Sequence, residues 1–451
     1  MCGTTTIGMK RTRAGRAVKA MFFIVALGLA FATVAAAPTI SVSAKQRYPW
    51  NGLVDLSFTL TGSGGVLHDT SFTARDVAGG TNITMATVRK TDGTAANVAQ
   101  ERLMPGAYSW VWDATADLPK DFKCDRVTVT GSAAVSSFSY SVKFNANGGS
   151  GTMSNEAFTY GTAKALTANA FTRDGYTFQG WATSASGSKV YNDKQSINNL
   201  TTTSGAVVNL YAVWKAALYM VIDLSGGANA SSYPVSYLDA VPSGGWSDTY
   251  KTTKLVLRRV VKGTNSAGGS MAKDMWVGIF EVTVAQYARV TGLQVSVSTG
   301  DNKKPAACVN RNSTQAHIPD TGKMLSGLET KTILNNVRLP TQAEWEYACR
   351  AGTQTAYNNG TSANAENMNE VGWWSGNSTG NSGWGLIVGQ KVPNGWGLYD
   401  MHGNVSEMTS SSYAMGGSFQ SNYGACTSSS GSDVGNGGYV TVGFRVFAEA
   451  N

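Results

Sequence analysis

The chain has 451 residues, of which only 14% are charged, and 52 glycines. That length suits about three domains, and the composition reads as loop-rich and β-rich rather than helical. Five of the 36 Lys/Arg and none of the 28 Asp/Glu fall in residues 1–37, so the rest carries a net charge of +3 with no basic run, and nucleic acid or an anionic membrane gains no support as a partner.

Lys10, Arg11, Arg13, Arg16 and Lys19 form a basic region, Met21 to Ala32 an apolar one, and Val34-Ala35-Ala36-Ala37 offers small residues for cleavage. This is the pattern of a signal peptide over 1–36, with cleavage expected after Ala36. The apolar stretch is too short to favour a membrane span, with a retained N-terminal anchor as the competing reading. No other segment is long and apolar enough to cross a bilayer. The expectation is an exported protein, extracellular, at the cell surface or in the periplasm, with no transmembrane segment in the mature chain. Cys124, Cys308, Cys349 and Cys426 remain after cleavage. They lack the CxxC spacing of a structural zinc site and are too few for a disulfide scaffold; one or two bridges are possible, with no readable pairing.

Residues 37–140 read as a first β domain. Val54, Leu56, Phe58 and Leu60 alternate with polar residues, the period of a half-buried strand. Ser109-Trp110-Val111-Trp112-Asp113 and Arg126-Val127-Thr128-Val129-Thr130 follow as strands, separated by turn signals at Gly62-Ser63-Gly64-Gly65 and Gly79-Gly80. A fibronectin-like β-sandwich is expected. Trp110 and Trp112 share a strand face and either stack on a sugar or fill the core, the second being the commoner arrangement.

Residues 141–216 form a second unit. It opens with Val142-Lys143-Phe144-Asn145-Ala146-Asn147-Gly148-Gly149, passes through Arg173-Asp174-Gly175-Tyr176-Thr177-Phe178-Gln179-Gly180-Trp181 and closes with Leu210-Tyr211-Ala212-Val213-Trp214. These segments resemble the internalin-type B-repeat (Listeria-Bacteroides repeat), a small β-grasp-like module. Phe144, Tyr176, Phe178, Trp181, Leu210 and Val213 can supply its core. The resemblance implies a surface or adhesion setting; a plain spacer is the alternative.

Residues 217–451 form the third domain. Lys254 to Val260 reads as a strand. Thr283 with Gln286, and Thr341 with Glu344, have the spacing of capping boxes that start two helices, and Gly352 is placed to end the second. Trp345 and Ala348 would share its buried face. Beyond Gly352 the chain shows little periodicity, yet four blocks follow one another: Arg338-Leu339-Pro340-Thr341-Gln342-Ala343-Glu344-Trp345, Gly397-Leu398-Tyr399-Asp400-Met401-His402-Gly403-Asn404, Gly416-Gly417-Ser418-Phe419 and Gly443-Phe444-Arg445. Together they resemble the formylglycine-generating enzymes, or sulfatase-modifying factors. The resemblance implies an α+β, atypical C-type-lectin-like domain with few regular elements, in a multidomain, mostly β protein.

It also implies a chemistry. Such enzymes oxidise a cysteine in an unfolded sulfatase peptide to an aldehyde with O2, holding Cu(I) between two cysteines. In the family pattern these lie three and eight positions after the Ser of Gly-Gly-Ser; from Ser418 that count gives Ser421 and Cys426. A hydroxyl is a hard, weak ligand and does not replace a thiolate on soft Cu(I). Cys426 alone is either a weak copper ligand or a small buried apolar side chain, and Ser418 is either a pocket serine or part of a tight turn. The arginines usual after the second cysteine are missing from Thr427 to Asp433, and Gly-Asn-x-Trp-Glu-Trp appears as Gly403-Asn404-Val405-Ser406-Glu407-Met408. The family bridge from the helix cysteine, here Cys349, meets Val446, so Cys349 is expected as a buried thiol. By resemblance, Asn367, Asn404 and Glu407 are candidate ligands for structural calcium, a hard cation. His68, His317 and His402 are too scattered for the iron cluster of the related sulfoxide synthases, and His402 is read as a satisfied loop histidine.

Two functions follow. In the first, an exported protein keeps the scaffold, has lost copper catalysis and binds an extracellular protein, peptide or glycan. In the second, it is a working formylglycine-generating oxidase acting on a sulfatase peptide with O2 and Cu(I).

Overall fold

Strand alternation builds the first unit of the computed structural model, which describes residues 37–49, 51–120, 122, 126–295, 301–311, 320–379 and 383–450. The export segment 1–36, Cys124 and His317 lie outside the described residues. Residues up to 137 form one unit and residues from 138 a second.

In the first unit, one sheet runs Thr39–Gln46, Leu53–Thr61, Gly106–Asp113, Val88–Arg89. In the other, His68–Asp76 pairs with Val127–Val135 on one side and with Asn82–Ile83 and Glu101–Leu103 on the other. The expected alternation is present: Leu56, Phe58 and Leu60 are buried, while Ser57 and Thr59 are exposed. Trp110 and Trp112 are 3% and 2% exposed, which settles them as core rather than a sugar platform. Trp110 meets Phe58 edge-on at 4.7 Å, and the Trp112 indole N–H donates to Asp117 at 2.9 Å. Burying rings of this size contributes roughly 2–3 kcal/mol each, and the indole hydrogen bond removes the cost of enclosing its N–H.

The second unit begins with a sheet ordered Glu156–Thr159, Ser139–Asn145, Val207–Ala216, Tyr176–Ala182. Its central pair is parallel, so the chain between them must cross over. Trp181, fully buried, packs on Phe144 at 4.8 Å and Phe178 at 4.9 Å. Phe144 and Leu210 are buried with it, whereas Tyr176, Phe178 and Val213 are half-buried. The strand register shifts between Phe178 and Gly180, a bulge. Gly180 has φ +140, and a Cβ there would lie 2.3 Å from Tyr191 O, so only glycine fits.

Only Ala217 and Leu218 separate Val207–Ala216 from the next strand, Tyr219–Asp223. The junction is pinned: Ala217 N donates to Gly175 O at 2.9 Å, and Asp239 accepts from Thr177 Oγ1 and, at 2.7 Å, from Gln179 Nε2.

The C-terminal domain is organised by a six-stranded sheet in the order Val235–Leu238, Tyr219–Asp223, Lys254–Val260, Met275–Gly278, Phe447–Glu449, Asn335–Arg338. Every neighbouring pair is antiparallel. Alternation sends Ile222, Leu255, Leu257 and Trp276 to one face, where helices Val284–Thr291 and Thr321–Lys331 cover them through Tyr287, Val290, Met324 and Leu328. Val221, Val256, Val277 and Phe447 point to the other face and meet Trp345, Ala348 and Cys349 of helix Gln342–Arg350. Both expected capping boxes form, at Thr283 with Gln286 and at Thr341 with Glu344. The second helix stops one residue before the expected glycine: Ala351 itself turns left-handed at φ 44, and Gly352 continues the turn at φ +94. Helices Thr321–Lys331 and Ala365–Val371, capped by Asp320 and Asn364, were not among the elements expected from the sequence. Beyond Gly352 regular structure is sparse, comprising chiefly Ala365–Val371, a parallel pair Gly372–Trp373 and His402–Gly403, and a small sheet of Gly431–Asp433, Tyr413–Met415, Ser406–Met408 and Val442–Gly443. Among the described residues no helix is long and apolar enough to cross a membrane.

Asp239→Ala removes the acceptor shared by Thr177 and Gln179. A loss of about 1–2 kcal/mol is expected, with faster amide exchange confined to residues 174–180. Unchanged exchange there would show that the junction is held by other contacts.

Candidate functional site

Three of the four sequence blocks converge on one buried guanidinium, and the Gly-Gly-Ser turn lies beside it. Arg445, 0% exposed, donates from Nε and Nη2 to both oxygens of Glu407 at 2.6–3.1 Å, from Nη1 to Gly278 O at 2.7 Å and from Nη2 to Tyr399 O at 2.7 Å. Trp345 Nε1 adds a bond to Glu407 Oε2 at 2.7 Å. Helix Gln342–Arg350, the Tyr399-Asp400 loop, strand Ser406–Met408 and the Gly443-Phe444-Arg445 segment are thereby tied at one point.

Two further carboxylates are buried beside it. Glu281 accepts from Asn404 Nδ2 at 2.6 Å and Val405 N at 3.0 Å. Asp400 Oδ2 accepts from Gly389 N at 2.6 Å, while its Oδ1 has no hydrogen-bond partner. Burial pushes the Glu281 carboxyl well above the usual carboxylate range, and the charges of Asp400 and Glu407 push it further. Burial likewise raises Asp400 to about 6, partly offset by the Gly389 N–H. Burial opposes the charge on Arg445, but Glu407, Glu281 and Asp400 together outweigh it and raise its pKa. Sequence reasoning missed Glu281; the available signal was a lone carboxylate inside the apolar run from Trp276 to Val284.

This network bears on the calcium expectation. Asn404, held left-handed at φ 56, also accepts from Leu386 N at 2.8 Å through Oδ1. Both Glu407 oxygens are engaged by Arg445. Asn367 lies on helix Ala365–Val371 and donates to Ser362 O at 2.9 Å. Asn404 and Glu407 thus join the ionic network and Asn367 stands outside it. The Asn404 and Glu407 side-chain oxygens already serve protein donors, Leu386 N for the first and Arg445 and Trp345 for the second. Among the described residues no group of three His, Cys, Asp or Glu is arranged to hold a metal.

The position that the resemblance assigns to copper lies on the Gly-Gly-Ser turn. Gly416 and Gly417 both have positive φ, at +84 and +68; a Cβ on Gly416 would lie 2.8 Å from the Trp345 ring, and one on Gly417 2.7 Å from Cys426 Sγ. The glycines therefore let the chain press against both residues. Ser421 Oγ accepts from Ser418 N at 3.0 Å and lies 3.2 Å from Ser418 Oγ; it closes the turn. Ser418 Oγ also accepts from Gln420 N at 3.3 Å. Cys426 is 0% exposed, with its thiol 3.5 Å from Asn422 O and 3.9 Å from Ser418 O. Burial pushes this thiol up to about 12, so it is protonated at neutral pH.

The residues present do not fit a two-sulfur Cu(I) site. One position offers a hydroxyl engaged with Ser418, and the other a protonated thiol facing carbonyl oxygens.

Behind Cys426 sits His402, buried. Its Nδ1 donates to Cys426 O at 2.7 Å, and Nε2 accepts from Asn358 N at 3.1 Å with Cys349 Sγ 3.7 Å away. Burial lowers His402 to about 4, so it is neutral and fully engaged, as expected of a loop histidine. Cys349 is buried, with its thiol raised to about 12 by burial. Cys308, Cys349 and Cys426 are all free, so no bridge joins the cysteines among the described residues.

Residues 246–449 match the family model of the sulfatase-modifying factor enzyme 1-like domain, and residues 140–213 that of the Listeria-Bacteroides repeat domain. The C-terminal domain is thus of the sulfatase-modifying-factor class and follows a repeat of that second family. Similar proteins include the formylglycine-generating enzymes of Mycobacterium tuberculosis, 42% identical over 82 residues (17% of this chain, 27% of that one), and of Mus musculus, 36% identical over 103 residues (21% and 28%). The chaperone protein LppX of Paenibacillus barcinonensis is 31% identical over 175 residues (30% and 61%). The chain therefore spans less than two thirds of the length of each of these relatives. PvdO from Pseudomonas aeruginosa, a solved structure, is 20% identical with a TM-score of 0.34, covering 47% of this chain and all of that one.

Two predictions follow from the buried groups. The folded pKa of Asp400, about 6, lies above the unfolded value of about 3.9, so the folded state holds this proton more tightly. Its contribution to stability is fully present below about pH 4 and is lost as pH rises through about 6. Asp400→Asn tolerates the left-handed backbone and keeps the acceptor for Gly389 N, so it should raise stability by about 2–3 kcal/mol at pH 8 and leave it nearly unchanged at pH 4. Denaturant melts at the two pH values check this; equal destabilisation at both would contradict it. In thiol titration, Cys349 and Cys426 should stay unmodified in native protein and react on unfolding; native labelling of Cys426 would contradict its enclosure.

Proposed function

We propose that the chain is an exported bacterial surface or secreted protein whose sulfatase-modifying-factor domain has lost copper catalysis and serves as a binding module for an extracellular protein, peptide or glycan. The observation carrying this reading is the pair Ser421 and Cys426. The hydroxyl standing where the first copper sulfur is required is spent on the Ser418 turn, and the remaining thiol is protonated and enclosed.

The loops around that turn support the binding role. Between Ser418 and Tyr439 the chain is composed mainly of Ser, Gly, Asn and Tyr, the mixture that antibody loops use to combine adaptable hydrogen bonding with rigid aromatic contacts. Tyr423 and Tyr439 are 39% and 52% exposed. A scaffold can survive loss of its chemistry because fold and site rest on different residues.

The competing reading, an active formylglycine-generating oxidase, rests on the domain match and on the retained Cys426. Incubation with Cu(I), O2 and a peptide carrying Cys-x-Pro-x-Arg separates the two by mass spectrometry. No aldehyde product is expected. Aldehyde that disappears in Cys426→Ala would overturn the binding-only reading.

A further inference from the structure

A groove of about 860 Å³ lies between the repeat and the C-terminal domain, within the unit pinned by Asp239. On the repeat side it is lined by Phe178 and Trp214, on the domain side by Val235, Tyr237 and Ile333. Two sheet edges border it. Tyr176–Ala182 has one neighbour in its sheet, and so has Val235–Leu238. The first edge is already taken at Trp181, which exchanges backbone hydrogen bonds with Tyr191, and the bulge between Phe178 and Gly180 in its pairing with Val207–Ala216 twists it further. The second has neither a bulge nor a charged residue within Val235–Leu238; Pro234 only precedes it.

The hydrogen-bond phase shows what this second edge offers. Asp223 N donates to Pro234 O. In an antiparallel ladder the bonded residues alternate from there, so Ser236 faces Tyr219–Asp223, whereas Val235 and Tyr237 turn their backbone N–H and C=O to the open side. We propose that this groove binds an extended peptide, which adds as a strand to the free edge of Val235–Leu238 and sets its apolar side chains against Phe178, Trp214 and Ile333. Strand addition draws affinity from main-chain bonds and selectivity from pockets for alternate side chains. Ile333 is 46% exposed, an apolar surface that such a chain would cover.

Charge and ring geometry define the occupant. Arg173 and Lys331 stand on opposite walls with Asp174 as the only carboxylate in the lining, leaving one net positive charge and favouring a peptide with an acidic residue. A glycan would need open ring faces for stacking. Instead Arg173 covers Tyr176 at 3.9 Å, Phe178 meets Trp214 edge-on at 5.6 Å, and Tyr237 tilts against Trp276 at 6.2 Å. The groove is built from residues outside the copper position, so this proposal stands or falls independently of the catalytic question.

The test is selection of a phage-displayed random heptapeptide library on the chain from residue 37, with counter-selection on Val235→Pro. That substitution removes one outward N–H where no ladder bond is lost. The expected result is a set of peptides alternating apolar residues around an acidic one. A synthetic member should bind at least tenfold more weakly to Val235→Pro and to Arg173→Glu, with unfolding midpoints of both variants close to the parent. It should also slow amide exchange at Val235 and Tyr237. Should Val235→Pro not fold, Ile333→Asp, a surface change, takes its place in both selection and binding. The proposal is overturned if no peptide discriminates parent from variants or if exchange at the edge is unaltered. It is equally overturned if a glycan array gives binding with the same variant sensitivity, or if the edge instead pairs with a second copy of the chain, seen as a concentration-dependent dimer lost in Val235→Pro.

Discussion

The C-terminal domain depends on the buried pair of Arg445 and Glu407. Enclosing a guanidinium is tolerable only when its donors are matched, and removing one partner of such a pair typically costs about 3–5 kcal/mol. Here a carboxylate and two backbone carbonyls, Gly278 O and Tyr399 O, take up the donors, and Trp345 binds the same carboxylate. Segments more than a hundred residues apart in sequence must therefore arrive together. That requirement organises a stretch with few regular elements, since irregular loops that cannot lean on a ladder can still be fixed by a shared charge. Glu281 and Asp400 bring more carboxyl groups to the same place than one cation balances, which raises the pKa of both and leaves Asp400 Oδ1 without a hydrogen-bond partner.

This anchor lies beside the Gly-Gly-Ser turn but does not use its side-chain chemistry. Gly416 packs on Trp345, Gly417 on Cys426, and His402 holds the Cys426 carbonyl from behind. Each contact is made by backbone, ring or neutral imidazole, and none asks residue 421 for sulfur. A serine there is accommodated by the turn it closes. The contacts that hold the turn are therefore physically separable from the side chain at residue 421.

Much of the fold was legible because it rests on short-range rules. Alternation at Val54 to Leu60 placed a strand, and the Thr283/Gln286 and Thr341/Glu344 spacings placed two helix starts, since a cap is decided within four residues. Helices Thr321–Lys331 and Ala365–Val371 were not legible. The first presents Met324, Leu325 and Leu328 to the core among many polar residues, and the second is only two turns long. At the site, counting from Ser418 located Ser421 and Cys426, but burial, which makes Cys426 a protonated thiol, is a tertiary property. Asn404 and Glu407 are suited to a cation by chemistry, but their engagement by Glu281 and Arg445 rests on long-range contacts that no local sequence pattern shows. Glu281 could have been found by asking why a carboxylate interrupts an apolar run.

At the position assigned to copper, Ser421 supplies a hydroxyl and Cys426 the one sulfur. Loss of copper binding is tested most directly by titrating the reduced chain with Cu(I) against a competing chelator under anaerobic conditions. No stoichiometric copper is expected, and no difference between the parent and Cys426→Ala. One equivalent held tightly by the parent and lost in Cys426→Ala would contradict it.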